Sequence, residues 1–350
     1  MPPTHVLIMH KHSNAKIMNN RSEFMAKELI RAARGRRSQL EFSRRLGYRS
    51  NIARRWEGGE CWPTASDFLR AYARLRPALQ HTYTKFFQRA PDWLESEPFA
   101  PAAIAAFMQQ LKGKTPIGVL AQRTGHHRYG IGRWLRGTAQ PKLPELLSFI
   151  EAASRRALDF VALLVDPKDL PTFGLEWKKL QSARHAAYES PWSHAVLRAL
   201  ELEAYAKVPA SKTVAWLAQR LSAPEPAIEA GIQALSASGQ IQSQRGKWLV
   251  DHVQTIDTGV DAIRSRELKV TWARVATERL AAGGPGNFGY SLFAISRKDL
   301  VRLRELHLEY VRAMQSLIAE SRPSECVGLY CAQLLDLASL DNALSVTEKR

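Results

Sequence analysis

The sequence predicts a mainly α-helical protein. It reads as two tandem helix-turn-helix domains followed by a C-terminal, winged-helix-containing α(+β) domain. Three observations carry this. Residues 43–63 (SRRLGYRSNIARRWEGGECWP) and 121–141 (AQRTGHHRYGIGRWLRGTAQP) are two copies of one motif, offset by 78 with no gap. In that register Arg45 falls on Arg123, Gly47 on Gly125, Arg55 on Arg133, Trp56 on Trp134, Gly59 on Gly137 and Pro63 on Pro141. Apolar residues recur at helical spacing through both copies, and in the second half three helical stretches precede a short hairpin.

In chain order, residues 1–20 contain too short an apolar stretch for a signal peptide and read as a loose N-terminal arm. Residues 22–34 carry Phe24, Met25, Ala26, Leu29, Ile30 and Ala33 at helical spacing after a serine cap. Ser38 opens a second short helix that Gly47 stops. Arg49 or Ser50 starts a third, ending at Gly58 and Gly59, and Pro63-Thr64 introduce a fourth. The second copy follows this plan. Ala103, Ile104, Phe107, Met108 and Leu111 take the places of Met25, Ala26, Leu29, Ile30 and Ala33. The expected domains are 21–98 and 99–172, with a linker at 166–174 and a last domain at 173–350. In that domain, helices at 193–207, 211–222 and 225–239 and two strands within 241–250 make a winged helix. A helix near 261–282, a strand at 290–296, a helix at 297–320, an apolar stretch at 327–340 expected to dock on the domain, and a polar tail complete the chain.

With 350 residues, 45% of them hydrophobic, the chain can bury real cores. Its formal charge of +17 makes a polyanion the first partner to consider. Cys61, Cys326 and Cys331 are too few for a disulfide framework, which fits a reducing, cytoplasmic and nucleoid-associated setting. The C-x4-C spacing of Cys326 and Cys331 has no second pair near it, and the His126-His127 pair has no third ligand at helical spacing, so no metal is expected. No apolar run approaches the roughly 20 residues of a membrane span, so no membrane partner is expected.

In a helix-turn-helix the second helix lies in the major groove and the first braces it. This demands a small residue in the bracing helix, a turn glycine and apolar pins on the reading helix. Ser43, Gly47 and Ala53 with Trp56 fill those places. The run SQLEFSRRLGYRSNIARRWEGGECWP resembles the XRE (lambda-repressor-like) family of DNA-binding domains. That resemblance implies that Ser50, Asn51, Arg54 and Arg55 face double-stranded DNA, with Arg49 beside them. It also implies that Gln39 meets a phosphate from a helix start. Asn suits adenine and Arg suits guanine through bidentate hydrogen bonds. Arg36, Arg37, Arg44 and Arg45 are candidate phosphate contacts.

In the second copy, residues 112–142 carry Lys112, Lys114, Arg123, Arg128, Arg133, Arg136 and Lys142 and no acid. Arg128, Tyr129 and Arg133 are the candidate DNA contacts there, with Lys114 and Arg136 toward phosphate. Gly130 and Gly132 lie inside the expected reading helix at about 1 kcal/mol each relative to alanine. They either permit close backbone approach or mark a copy that has lost tight reading. The reading helix expected of the winged helix carries Glu225 and Glu229 and no Lys or Arg, so it suits packing or dimerisation better than phosphate.

The second half, from about residue 175 to 337, resembles a regulator module, the domain-of-unknown-function 4423 family. The resemblance rests on YESPWSHAVLRAL, TVAWLAQRLSAPEPAIEAGIQALSASGQI and YSLFAISRKDLVRLRELHLEYVRAMQSLI. It implies a transcriptional regulator with no known ligand. No phosphate-cradling GxxxxGK[ST], HExxH or GxSxG run is present, so no catalytic residue and no cofactor are expected. The expectation is a DNA-binding regulator acting as a homodimer, with an unknown protein, peptide or small-molecule effector. The alternative is a protein-interaction regulator, such as an antitoxin or defence-system controller, that binds DNA mainly for autoregulation. A DNA-processing enzyme would need clustered carboxylates for metal, and the scattered acids show no such cluster.

Overall fold

A computed structural model describes residues 4–88, 90–94, 97–250 and 256–337. The polar tail at 341–350 and the end of the apolar stretch, 338–340, lie outside them. The fold is mainly helical. The first copy comprises α1 (Thr4–Arg34), α2 (Gln39–Arg45), α3 (Ile52–Gly58), α4 (Ala65–Leu75) and α5 (Thr82–Phe87). The second comprises α6 (Pro101–Lys112), α7 (Ile117–Thr124), α8 (Arg128–Leu135), α9 (Leu143–Ser154) and α10 (Ala157–Leu164). After the shift of 78 residues, all five helices of one copy fall on the five of the other. The residues expected to be a loose arm are helical from Thr4 onward, so α1 is far longer than its counterpart α6.

The chain divides into two compact units, residues 1–184 with 255–262, and residues 185–254 with 263–350. Both copies lie in the first unit and share one core, which runs without a break from Met25 to Phe173. An aromatic cluster sits at its centre. The ring of Phe107 on α6 lies 4.6 Å from Tyr83, 5.6 Å from Phe86 and 5.5 Å from Phe160. Helix α11 (Phe173–Glu189), which the sequence reading left unassigned, begins against α1. The buried carboxylate of Glu28 accepts hydrogen bonds from the amides of Thr172 and Phe173, at 2.9 and 3.3 Å, and so caps α11. Arg184, near the end of α11, makes a buried bidentate pair with Asp159 on α10 at 2.7 and 2.8 Å.

In the second unit α12 (Trp192–Leu200), α13 (Thr213–Leu221) and α14 (Glu225–Ala237) precede the antiparallel pair β1 (Ile241–Gln244) and β2 (Lys247–Val250). That is the expected winged helix. Arg245 and Gly246, both at positive φ, make the two-residue turn that a right-twisted hairpin favours. Gly231 lets α14 approach α12, since a Cβ there would stand 3.3 Å from the Ser193 amide nitrogen. The helix expected over 193–207 is shorter, because it ends at Leu200 and a 3-10 turn follows at Glu203–Lys207.

Beyond lie α15 (Ala262–Ala281) and α16 (Arg297–Glu320). The strand expected at 290–296 does not form. Its short apolar run, Leu292–Ile295, fits a strand, but β1 and β2 pair only with each other and no sheet edge among the described residues engages it. The stretch expected to dock does so only in part. Val327 packs on the winged-helix core, whereas Leu335 is 69% and Leu337 72% exposed. Among the described residues no helix is long and apolar enough to cross a membrane.

Candidate nucleic-acid interface

In the first copy α2 and α3 are fixed by one buried hydroxyl. Ser43 Oγ donates to the Gln39 carbonyl at 2.7 Å and accepts from the Ala53 amide at 3.0 Å. This explains the need for a small polar residue at that place, since a larger side chain would push the reading helix away. Gly47, at φ +94°, makes the turn. The Tyr48 ring stands edge-on to Trp56 at 5.2 Å, and Trp56 and Ala53 are buried. The second copy repeats the plan with different parts. Gly125, at φ +70°, makes the turn, and His126, at the place of Tyr48, stands edge-on to Trp134 at 5.1 Å. Ala121 has no hydroxyl to take the place of Ser43.

The pins leave a polar face outward. Arg49, Ser50, Asn51, Arg54 and Arg55 are all exposed. Asn51 is also the N-cap of α3, its Oδ1 accepting from the Arg54 amide at 3.4 Å. That bond is long, so the same oxygen can be turned to a base at the cost of a weak cap. Arg55 lies 3.6 Å from Glu60, an exposed ion pair that costs little to open. Arg45 pairs with Glu41 one turn away on α2. Arg36, Arg37 and Arg44 are exposed beside these helices.

One residue that the sequence reading passed over organises this face. Glu57, in the last turn of α3, is buried and receives Arg34 at 2.6 Å, Gln39 at 2.8 Å and, more distantly, Arg31 at 3.9 Å. It ties α1, α2 and α3 together. Gln39 therefore gives one amide hydrogen to this carboxylate and retains a second. The signal lay in the repeat, since the equivalent position holds buried Leu135, and an acid at a core position needs cationic partners.

On α8 the glycines do not break the helix. It runs from Arg128 to Leu135, capped by His127, whose Nδ1 accepts from the Tyr129 amide at 3.2 Å. That cap is the structural use of one histidine of the His126-His127 pair. Gly132 gives room to Arg136, whose guanidinium would stand 3.3 Å from a Cβ there, while Gly130 opens on empty space. Arg128 lies over Gly118 of α7, where a Cβ would fall 2.6 Å from the guanidinium. Tyr129 is 66% exposed, and Arg133 approaches its ring to 6.0 Å. Lys114 is also exposed. Arg128, Tyr129 and Arg133 thus gather on one exposed, basic helix with Arg136 at its end, whereas Lys114 lies apart from it, before α7.

Burial against Trp134 lowers the pKa of His126, while Glu145 acts weakly in the opposite direction. The folded chain therefore binds fewer protons here than the unfolded chain, so this group's contribution to stability is lost as pH falls below about 6.5. We expect His126→Tyr, which copies the first repeat, to reduce the drop in unfolding midpoint between pH about 7.5 and 5.5. An unchanged drop would refute the assignment.

In the second unit, α14 presents Glu225 and Glu229 to solvent and no cation. Among the described residues no group of three or more His, Cys, Asp or Glu is placed to hold a metal. No curated protein and no solved structure matches this chain. No helix-turn-helix family model matches its first half. Residues 174–334, which include the winged helix, α15 and α16, match the family model described as a domain of unknown function (DUF4423).

Proposed function

We propose that this protein is a sequence-specific regulator of transcription that binds double-stranded DNA. In this reading α3 enters the major groove, and α8 adds a basic contact on the same duplex. The observation that carries it is the exposed set Ser50, Asn51, Arg54 and Arg55, the first two just before α3 (which starts at Ile52 and not at Arg49 or Ser50) and the last two on it, with the opposite face of α3 pinned by Ser43, Ala53 and Trp56. Asn and Arg are the side chains that read adenine and guanine bidentately, and five further exposed arginines (Arg36, Arg37, Arg44, Arg45 and Arg49) border the helix to meet phosphates.

Arg54→Ala and Asn51→Ser are expected to weaken binding to a selected site by about 1–3 kcal/mol each, and binding to random duplex far less. Serine retains a capping oxygen at Asn51, so loss of the α3 cap does not confuse the result. Equal losses on selected and random DNA would sink base reading by α3.

A second reading makes a protein or peptide partner primary and DNA binding autoregulatory. It draws support from α16, where Val301, Leu306, Tyr310, Leu317 and Ile318 are all more than half exposed. Unchanged transcription of candidate target genes on deletion of the chain, except its own, would favour this second reading.

A further inference from the structure

The two copies are not merely consecutive. Where each chain leaves its reading helix it meets the other. The Ala65 amide donates to the Pro141 carbonyl at 2.8 Å, and the Leu143 amide donates to the Pro63 carbonyl at 3.0 Å. Thr64 and Lys142 form the antiparallel bridge between them. Under the shift of 78 residues Pro63 becomes Pro141, Thr64 becomes Lys142 and Ala65 becomes Leu143. Each bond is therefore the image of the other, and a local dyad passes between Thr64 and Lys142.

The relation continues outward from that point. Helices α4 and α9, which are images of one another, start at the bridge, and α5 packs on its own image α10 through Phe86 and Phe160. The carbonyls of Phe86 and Leu164, again equivalent positions, each accept from an arginine of the other copy, Arg156 at 2.9 Å and Arg76 at 3.3 Å. Inside one chain this is the self-complementary contact that ordinarily joins two subunits of a dimer.

From this we infer that a single chain occupies both half-sites of its DNA target, with α3 reading one and α8 clamping the other. The inference rests on the proposed DNA-binding function. A duplex has local dyads perpendicular to its axis, so two readers related by a dyad face two successive major grooves. The reach of the chain sets the spacing. Thr64 lies six positions beyond the end of α3, and Lys142 seven beyond the end of α8. Even fully extended these arms span about 20 and 25 Å. The C-terminal ends of the reading helices thus lie less than about 50 Å apart, a reach that admits one helical turn of DNA (about 34 Å).

The readers differ, so the target is unequal. Asn51, Arg54 and Arg55 confront bases in one half. Arg128, Tyr129, Arg133 and Arg136 supply charge and one aromatic ring to the other. On this inference no second chain is needed to complete the pair.

The full-length chain is used to select from a random 40-bp duplex library, and the selected duplex is examined by hydroxyl-radical footprinting and native mass spectrometry. The expected result is one chain per duplex with two protected patches about 10 bp apart. Only one of the two patches should carry a strong base preference. The triple variant Arg128→Ala, Arg133→Ala, Arg136→Ala should lose the second patch and keep the first. Its affinity should fall at least tenfold, and its log–log salt slope should shrink by about one for each phosphate contact removed. A single patch in the parent chain, or two patches that need two chains, overturns the inference and leaves DNA binding standing. No retention of any duplex at low salt overturns the functional proposal and this inference together.

Discussion

Replacing Phe107 with alanine is expected to cost the first unit about 3–5 kcal/mol of stability, the range for truncating a fully buried aromatic ring. Phe107 has no exposed surface, and the rings of Tyr83, Phe86, Phe87 and Phe160 surround it within 6 Å. Three of these neighbours belong to α5, one to α10 and Phe107 itself to α6, so the cavity would open between the two copies. The surrounding rings are themselves packed edge-to-face and cannot collapse into the space without losing contacts of their own. Denaturant unfolding of the full chain measures the effect on the transition of the first unit. Phe107→Leu should recover more than half of the loss. A cost below about 1 kcal/mol for alanine would contradict a single shared core.

The second large effect is expected at the Asp159–Arg184 pair. Both side chains are only 5% exposed, and the bond is bidentate. Asp159→Ala leaves the Arg184 guanidinium buried with only the Asp257 carbonyl, which accepts from its Nε at 3.0 Å. Breaking such a pair from one side costs about 3–5 kcal/mol, because a desolvated charge remains. Arg156, 3.7 Å from Asp159, loses a neighbour too but keeps Asp257 at 3.3 Å and the face of Phe86 at 4.1 Å. The double variant Asp159→Leu, Arg184→Met removes both charges and should be far milder than either single charge deletion. Thermal or denaturant midpoints of the three variants decide the matter. A double variant as unstable as the sum of the singles would show that the pair is not acting as a unit.

Much of the first half was legible because repetition reports on three dimensions. A residue type kept after 78 positions marks a place where geometry is demanding, as at Gly47 with Gly125 and Trp56 with Trp134. Two caps were equally readable, since Ser38 and Thr64 each accept from a backbone amide where their helix begins, whereas Ser22, read as a cap, lies inside α1. What the sequence concealed was partnership. Glu57 reads as one acid among many until Arg34 and Gln39 are seen to close on it. Gly130 and Gly132 read as a weakness, although α8 is short, capped by His127 and pinned by Ile131 and Trp134, enough to outweigh about 2 kcal/mol of propensity. The short apolar run at 290–296 was misleading for the converse reason. A strand is defined by a neighbour, and no composition within one segment reveals whether that neighbour exists.

Of the bonds at the dyad, the acceptors are the carbonyls of Pro63 and Pro141. An ordinary residue at either place could return a bond through its own amide and let the bridge lengthen into a ribbon. Proline has none to give, so the pairing stops after one residue from each copy, and α4 and α9 start at once. The joint is thus made wholly of main chain and has a fixed length. Side chains on the reading helices can then drift apart over evolutionary time while the axis between them stays in place. A duplicated gene segment held in this way could specialise one copy and relax the other without losing the alignment that both inherited.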